Sequence, residues 1–323
     1  MVGALLGDRA GGDVRTSPHS VRPVIRPRTR EAPGAARIKA ARPASRARWA
    51  GRGLWTAYDG RVRRDPPTER GSTVEIEGSV VLVTGANRGI GRALVGEFLA
   101  RGAARVHAAA RNPAALGPVV AEDPSRVVPV EVDLTAPDTI AAAAEAASDV
   151  TLLVNNAATH AVGHLLEMDL ALVEDVMRTN YLGTLRVLRA FAPVIERNGG
   201  GAVVNVISVG AFGGTPALGG YPASKAALHS MTQAVRQDLA PRGISVHGVF
   251  PGPVDTDMLA YVLEHEPQFG EVPLATTAEV ARATVDGLAA DAEDIFPDSF
   301  AVGVGELWSR DPKAVERWLT EFG

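Results

Sequence analysis

The thirteen residues SVVLVTGANRGIG, Ser79 to Gly91, constrain the fold more than any other stretch of the chain. An apolar run of strand length ends in a glycine. Two further glycines open GIGRALVGEFLARG, whose Ile90, Leu94, Val95, Phe98 and Leu99 recur near helical spacing. The pattern predicts a buried strand that turns at once into a helix. Glycines let a backbone turn tightly and come close to a ligand, and a helix N-terminus offers free N–H groups and the positive end of a dipole. Alone, such a turn is more often a tight turn with no ligand. A strand before it and a helix after it make it a candidate cradle for a pyrophosphate.

The same alternation continues. ARVHAAAR and RVVPVEVDL read as second and third strands, PDTIAAAAEAAS as a helix, and VTLLVNNAA as a fourth strand. A long helical region covers about 169–197. GAVVNVIS is a fifth strand, YPASKAALHSMTQAVRQDLAPRG a helix closed by Pro241 and Gly243, and ISVHGVFPG a sixth strand. The predicted class is α/β: a doubly wound parallel sheet of Rossmann type with helices on both faces. The chain has 323 residues with 46% apolar content, enough for a core. No repeat of solenoid period and no second core are visible, so one domain is expected over 74–323.

Residues 1–73 are different. They hold sixteen basic and six acidic residues, whereas the whole chain carries a net charge of −4. Rich in Arg, Pro, Ala and Gly and without sustained periodicity, they are expected to form a disordered extension. Arg-richness also fits a transit peptide, but six acidic residues do not. A nucleic-acid arm would rest on charge alone, and the acidic body argues against it. The opening MVGALLGDRAGG has too short an apolar block for a secretory signal, and no run reaches membrane-span length. The absence of cysteine fits a reducing, cytoplasmic setting and removes thiol chemistry.

Ligands of such sheets sit beyond the carboxyl ends of the strands, and several polar residues fall there. Asp133 closes the third strand, where it is either an adenine acceptor or a turn residue. Asn155 and Asn156 end the fourth, either tying strand ends together or contacting a nucleotide. Ser208 ends the fifth, and PGPVDT, Pro251 to Thr256, ends the sixth. Tyr221 and Lys225 lie at i and i+4 on the helix after the fifth strand and share a face. Lysine is rare in this chain, with only Lys39, Lys225 and Lys313. An ammonium beside a phenol favours the phenolate and is expected to lower its pKa toward a useful range.

With these motifs in order over about 76–260, the chain resembles the short-chain dehydrogenase/reductase family, single-domain type. TGANRGIG matches the TGxxxGxG turn, and NNAA matches NNAG. Asn180 in MRTNYLG, Ser208, Tyr221 and Lys225 match the catalytic tetrad. The resemblance implies an oxidoreductase that interconverts a carbonyl and an alcohol. Tyr221 would exchange the proton, Ser208 would hold the substrate oxygen, Lys225 would tune Tyr221 and hold the ribose, and Asn180 would fix a relay water. Cofactor contacts would come from Gly85, Asn87, Arg88, Gly89, Ile90, Gly91, Arg111, Asp133, Leu134, Asn156, Ala157, Tyr221, Lys225, Pro251, Gly252, Val254 and Thr256. Ala158 departs from the usual glycine. The glycine-rich closing strand is missing, EDIFPD being its best candidate, followed by a helix, PKAVERWLTEF.

Cofactor choice follows from the second strand end. No Asp or Glu occurs between Glu97 and Glu122, and Arg111 stands just past the strand. With Arg88 facing it, Arg111 predicts NADP(H), with NAD(H) the alternative. The expected substrate is a small or medium-sized uncharged ketone, aldehyde or alcohol held by about 158–164, 209–218 and 258–274, with Phe212 the aromatic of the middle stretch. No nucleic-acid or membrane partner is expected. The resemblance implies a homodimer or homotetramer through helices 169–197 and 221–240. Rivals are a catalytically silent binding or regulatory protein and an epimerase or dehydratase, for which the tail leaves little room. His160 and His164 have metal-pair spacing, but Gly163 argues against a helix there and no metal is expected. Trp308 and Trp318 are expected to pack. If residues 1–73 are dispensable, a chain starting near Val74 should match the full chain in thermal stability and activity; loss of either on truncation would place the arm in the fold.

Overall fold

In the computed structural model, which describes residues 74–267 and 272–320, six largely apolar runs and one two-residue segment form strands β1 (Val80–Thr84), β2 (Arg105–Ala110), β3 (Val127–Glu131), β4 (Leu152–Asn155), β5 (Gly201–Val206), β6 (Ile244–Val249) and β7 (Asp294–Ile295). They pair side by side, all parallel, in the order β3-β2-β1-β4-β5-β6-β7. The expected doubly wound α/β sheet is present. The expectation for residues 1–73 lies outside the described residues.

The helices are α1 (Gly89–Ala100), α2 (Gly117–Val120), α3 (Pro137–Ala146), α4 (Leu170–Met177), α5 (Thr184–Arg197), α6 (Tyr221–Leu239), α7 (Asp257–His265), α8 (Thr277–Ala289), α9 (Ser299–Arg310) and α10 (Pro312–Thr320). Alternating side chains of each strand serve the two faces. Leu82 of β1 joins Leu153, Phe191 of α5 and Leu228 of α6 in one core. Val81 and Val83 point the other way, to Leu94 and Phe98 of α1 and Leu288 of α8. Parallel strands buried on both faces are largely apolar, which is why the runs of β1, β4 and β5 read without alternation.

The long helical region expected over 169–197 is not uniform. Between α4 and α5 lies a π-helical stretch, Arg178–Gly183, that contains Asn180. Gly183 closes it, and a Cβ there would lie 2.6 Å from the Cβ of Leu134. The stretch therefore sits hard against the loop after β3. EDIFPD supplies β7 as expected, and 312–320 are helical. Helices α7, α8 and α9 lie in a region where the sequence showed only the strand candidate and the last helix.

Candidate active site

Because every strand runs the same way, the loops after β1, β2, β3, β4, β5 and β6 open on one edge. At β1 the chain turns through Gly85, whose φ of +68° suits glycine. A Cβ on Gly91 would lie 2.2 Å from the Gly85 carbonyl oxygen, so the turn closes on itself only with glycine there. Helices α4, α7, α8 and α9 are capped by Asp169, Thr256, Thr276 and Asp298. α1 begins at Arg88 with no side-chain cap and no acidic residue in its first turn. An uncapped N-terminus behind a glycine turn leaves N–H groups and positive dipole charge for an anion, and the pyrophosphate of a dinucleotide fits this donor set.

Thr84 and Asn156 join β1 to β4. The Thr84 hydroxyl accepts from the N–H groups of Asn156 at 3.0 Å and Ala157 at 3.1 Å, and Asn156 Nδ2 donates to the Thr84 carbonyl at 2.9 Å. The Asn156 amide thus ties strand ends, one of the two roles open from sequence. Asn155 begins a buried ladder. Its Nδ2 donates to Asn205 Oδ1 at 2.9 Å, Asn205 Nδ2 donates to Thr232 Oγ1 at 2.9 Å, and Thr232 donates to the Leu228 carbonyl at 2.7 Å. The ladder pins α6 to the sheet and was not found from sequence, since neither Asn205 nor Thr232 sits in a motif.

Tyr221 is the first residue of α6, with Pro222 in the first turn, where its missing N–H costs little. The Ser208 side chain lies near enough to act on its phenol. Ser208 in turn accepts from the Gly210 N–H at 3.1 Å and donates to the Pro251 carbonyl at 3.4 Å. One turn along, Lys225 is buried. Its Nζ lies 5.6 Å from the Tyr221 ring centroid and donates to the Val206 carbonyl at 2.9 Å. Asn180 is also buried. Its Nδ2 donates to the Thr159 carbonyl at 2.8 Å and to Ser224 Oγ at 2.9 Å, and its Oδ1 accepts from the Thr159 N–H at 2.8 Å. Ser224 donates to the Tyr221 carbonyl at 2.7 Å. The four residues expected together are brought together, with Thr159 and Ser224 as links that the sequence did not reveal.

The electrostatics differ from the sequence expectation. Burial pushes the Tyr221 phenol up to about 12, with the nearby Ser208 side chain working against it. Burial also pushes Lys225 down to about 7. A lysine that loses its charge near neutrality cannot by itself favour the phenolate, so desolvation outweighs the pairing inferred from spacing.

At the other end of the rim, Asp133 Oδ1 accepts from the Thr135 N–H at 2.8 Å and hydroxyl at 2.7 Å. The Thr135 N–H bond is the first cause of its lowered pKa, and Arg111 adds to it from nearby. Arg111 is exposed just past β2. Arg88 does not face it. Arg88 instead pairs with Asp257 of α7 at 2.7 Å, both side chains exposed, so the expected convergence of the two arginines is not what the structure shows. Pairs this exposed are weak and readily exchanged. Thr256 caps α7, Val254 packs with Ala275, Val280 and Ile90, and Leu134 is buried. Gly252 donates its N–H to Asp298 at 2.9 Å. Phe212 turns away from the rim into a stack with Phe250 and Trp308, each 5.0 Å between ring centroids. Trp318 packs on Phe300. His160 packs edge-on against Tyr261 and His164 is exposed, and among the described residues no three His, Cys, Asp or Glu side chains gather as metal ligands.

A family model described as short chain dehydrogenase matches residues 79–267. A galactitol 2-dehydrogenase (L-tagatose-forming) from Cereibacter sphaeroides is 36% identical over 202 residues, covering 60% of this chain and 78% of that protein. The chain is also similar to the crystal structure of a short chain dehydrogenase from Burkholderia cenocepacia in complex with NADP. That likeness has a TM-score of 0.68 at 36% identity and covers 76% of this chain and 98% of that one. A short chain dehydrogenase/reductase from Burkholderia phymatum in complex with NAD shares the fold, with a TM-score of 0.66 at 24% identity over 75% of this chain and 96% of that one.

The depressed lysine has a measurable consequence. Between its folded value of about 7 and the ordinary value of 10.5, the unfolded chain holds a proton that the folded chain lacks, so Lys225 makes stability rise with pH across that window. Below about 7 both states are charged and the cost of burying the ammonium is felt in full. The thermal midpoint of the unmodified protein should therefore gain on that of Lys225→Met as pH is raised from 7 to 9.5. A difference that stays constant would show that Lys225 does not titrate there.

Proposed function

The chain belongs to the short chain dehydrogenase family and is an oxidoreductase acting on CH–OH or carbonyl groups with a nicotinamide dinucleotide; from this premise we propose that it interconverts a carbonyl and an alcohol with NADP(H), Tyr221 carrying the proton. The observation that carries the reading is the placement of Tyr221 at the head of α6, one turn from the buried Lys225 and close enough to Ser208 for that side chain to act on its phenol. Two neighbouring hydroxyls can both hold one substrate oxygen. Ser208 stabilises the charge that develops on it, and Tyr221 gives or takes its proton. The nicotinamide, when bound, supplies or accepts the hydride. Lys225 lies one turn inward, where a ribose hydroxyl beside it would add a second partner to the Val206 carbonyl. Asn180 fixes the Thr159 backbone to the helix that bears Tyr221.

The pyrophosphate would lie against Gly85 to Gly91, including Asn87 and Ile90, and the adenine end near Asp133 and Leu134. The nicotinamide would lie toward Asn156, Ala157 and Pro251 to Thr256. The preference for NADP(H) is supported by Arg111 past β2 and by the lack of any acidic residue between Glu97 and Glu122. Arg88 would join Arg111 at a 2′-phosphate by leaving Asp257. Exposed leucines at 165, 166, 170 and 172, on and before α4, support association into a dimer or tetramer. No helix of the described residues is long and apolar enough to cross a membrane. Residues 1–73 are read as an extension outside the catalytic domain.

Tyr221→Phe keeps the ring and removes the proton. Turnover of carbonyl substrates, followed by cofactor absorbance, should fall by roughly 10²–10⁴, while NADPH affinity by fluorescence titration stays close to normal. Near-normal turnover would overturn the role of Tyr221. For the cofactor, kcat/KM should favour NADPH over NADH, and Arg111→Asp should shift the ratio toward NADH. Equal or better use of NADH by the unmodified protein would remove the NADP(H) assignment and leave the reaction class intact.

A further inference from the structure

Asp298 stands at the N-terminus of α9, beyond the 79–267 span of the family match. Its Oδ1 accepts from the Ala301 N–H at 2.8 Å and so caps the helix. A cap needs only one oxygen. The other, Oδ2, accepts from the Gly252 N–H at 2.9 Å, on a loop 46 residues earlier. The approach is close. A Cβ on Gly252 would lie 2.8 Å from Phe300 Cδ1 and 2.9 Å from Asp298 Oδ1.

The Gly252 N–H and the Pro251 carbonyl belong to one peptide group, which is planar and resists twisting. On the carbonyl side that oxygen accepts from the Val209 N–H at 3.1 Å and from Ser208 Oγ at 3.4 Å. One rigid plane therefore carries Asp298 at one edge and Ser208 at the other, and it cannot rotate without breaking both contacts. A carboxylate on the N–H side also polarises the group and strengthens its carbonyl as an acceptor. α9 grips the same turn from behind, where Trp308 stacks on Phe212, the last residue of the short 3₁₀ turn that Ser208 caps. We propose that Asp298 is a positioning residue: it fixes the Pro251–Gly252 peptide and, through it, the aim of the Ser208 hydroxyl and the nicotinamide side of the site. The proposal rests on the reading of Ser208 and Tyr221 given above.

Asp298→Ser and Asp298→Thr keep a capping oxygen for Ala301 but are too short to bridge to Gly252 as well; Asp298→Ala loses both bonds. Hydrogen exchange without added cofactor gives a readout that does not use activity. The Gly252 amide should be protected in the unmodified protein and exchange freely in the Ser and Thr variants, whose thermal midpoints stay near normal. Their kcat with NADPH and the best carbonyl of a panel should fall roughly tenfold or more. Asp298→Ala should show the same fall in kcat together with a lower midpoint. On a Ser208→Ala background the Asp298→Ser loss should largely disappear, because coupled residues are not additive. Fast exchange of Gly252 in the unmodified protein would overturn the proposal, as would normal kcat in the Ser and Thr variants or losses that simply follow the midpoint. Tyr221→Phe run alongside separates the two levels: a silent Tyr221→Phe with an unaffected Asp298→Ser removes only this inference, whereas an active Tyr221→Phe removes the reading beneath it.

Discussion

The parallel direction of all seven strands is the constraint on which everything else in this molecule depends. Residues separated by more than a hundred positions meet because each strand delivers its carboxyl end to the same edge. Thr84, Asn155, Val206 and Val249 end four adjacent strands, and Gly85, Asn156, Ser208 and Pro251 follow within one or two residues of each. The register is held by apolar pairing and by two polar ties. Thr84 with Asn156 locks β1 to β4, and Asn155, Asn205 and Thr232 lock β4, β5 and α6. Each amide of the buried ladder donates to the next member and so fixes it in place. The angle at which α6 presents Tyr221 is thus set inside the sheet.

Much of this was legible because the informative residues carry local signals. A glycine-rich turn between strand and helix, a Tyr–Lys pair at helical spacing and a run of strand-length apolar segments depend only on neighbours in the chain. What was not legible depends on partners far away. α9 was missed because Gly303 and Gly305 interrupt its pattern; a Cβ on Gly305 would lie 2.6 Å from the Phe296 ring, a packing reason that sequence does not display. Arg88 was expected opposite Arg111, but Asp257 lies 169 positions on and takes it. Phe212 was expected at the site and is instead drawn backward by Phe250, Trp308 and Phe296, an apolar cluster assembled from three distant segments.

The charge balance at Tyr221 and Lys225 teaches the same point in energetic form. Spacing reveals that two groups are near each other, not how dry their surroundings are. Here burial acts on both, upward on the phenol and downward on the amine. Both shifts oppose charge, so the pair rests as neutral phenol and weakly held ammonium. Proton transfer at such a site is governed by whatever polar groups a bound ligand brings into the dry space, rather than by the lysine alone.

The order of the strands also bears on time. β1 pairs with β4, Val81 lying against Leu152, so the central pair of the sheet closes only after a loop of about seventy residues has been drawn in. Non-local parallel pairing is slow to nucleate. A chain made from its N-terminus can assemble β1, β2 and β3 with their helices long before β6 exists, and Asp298 emerges later still. The turn that would hold a pyrophosphate needs the chain only as far as β4, to which Thr84 and Asn156 tie it, while Asp298 comes near the end of the polypeptide. Ligand affinity and catalytic competence would then arise at different moments of folding.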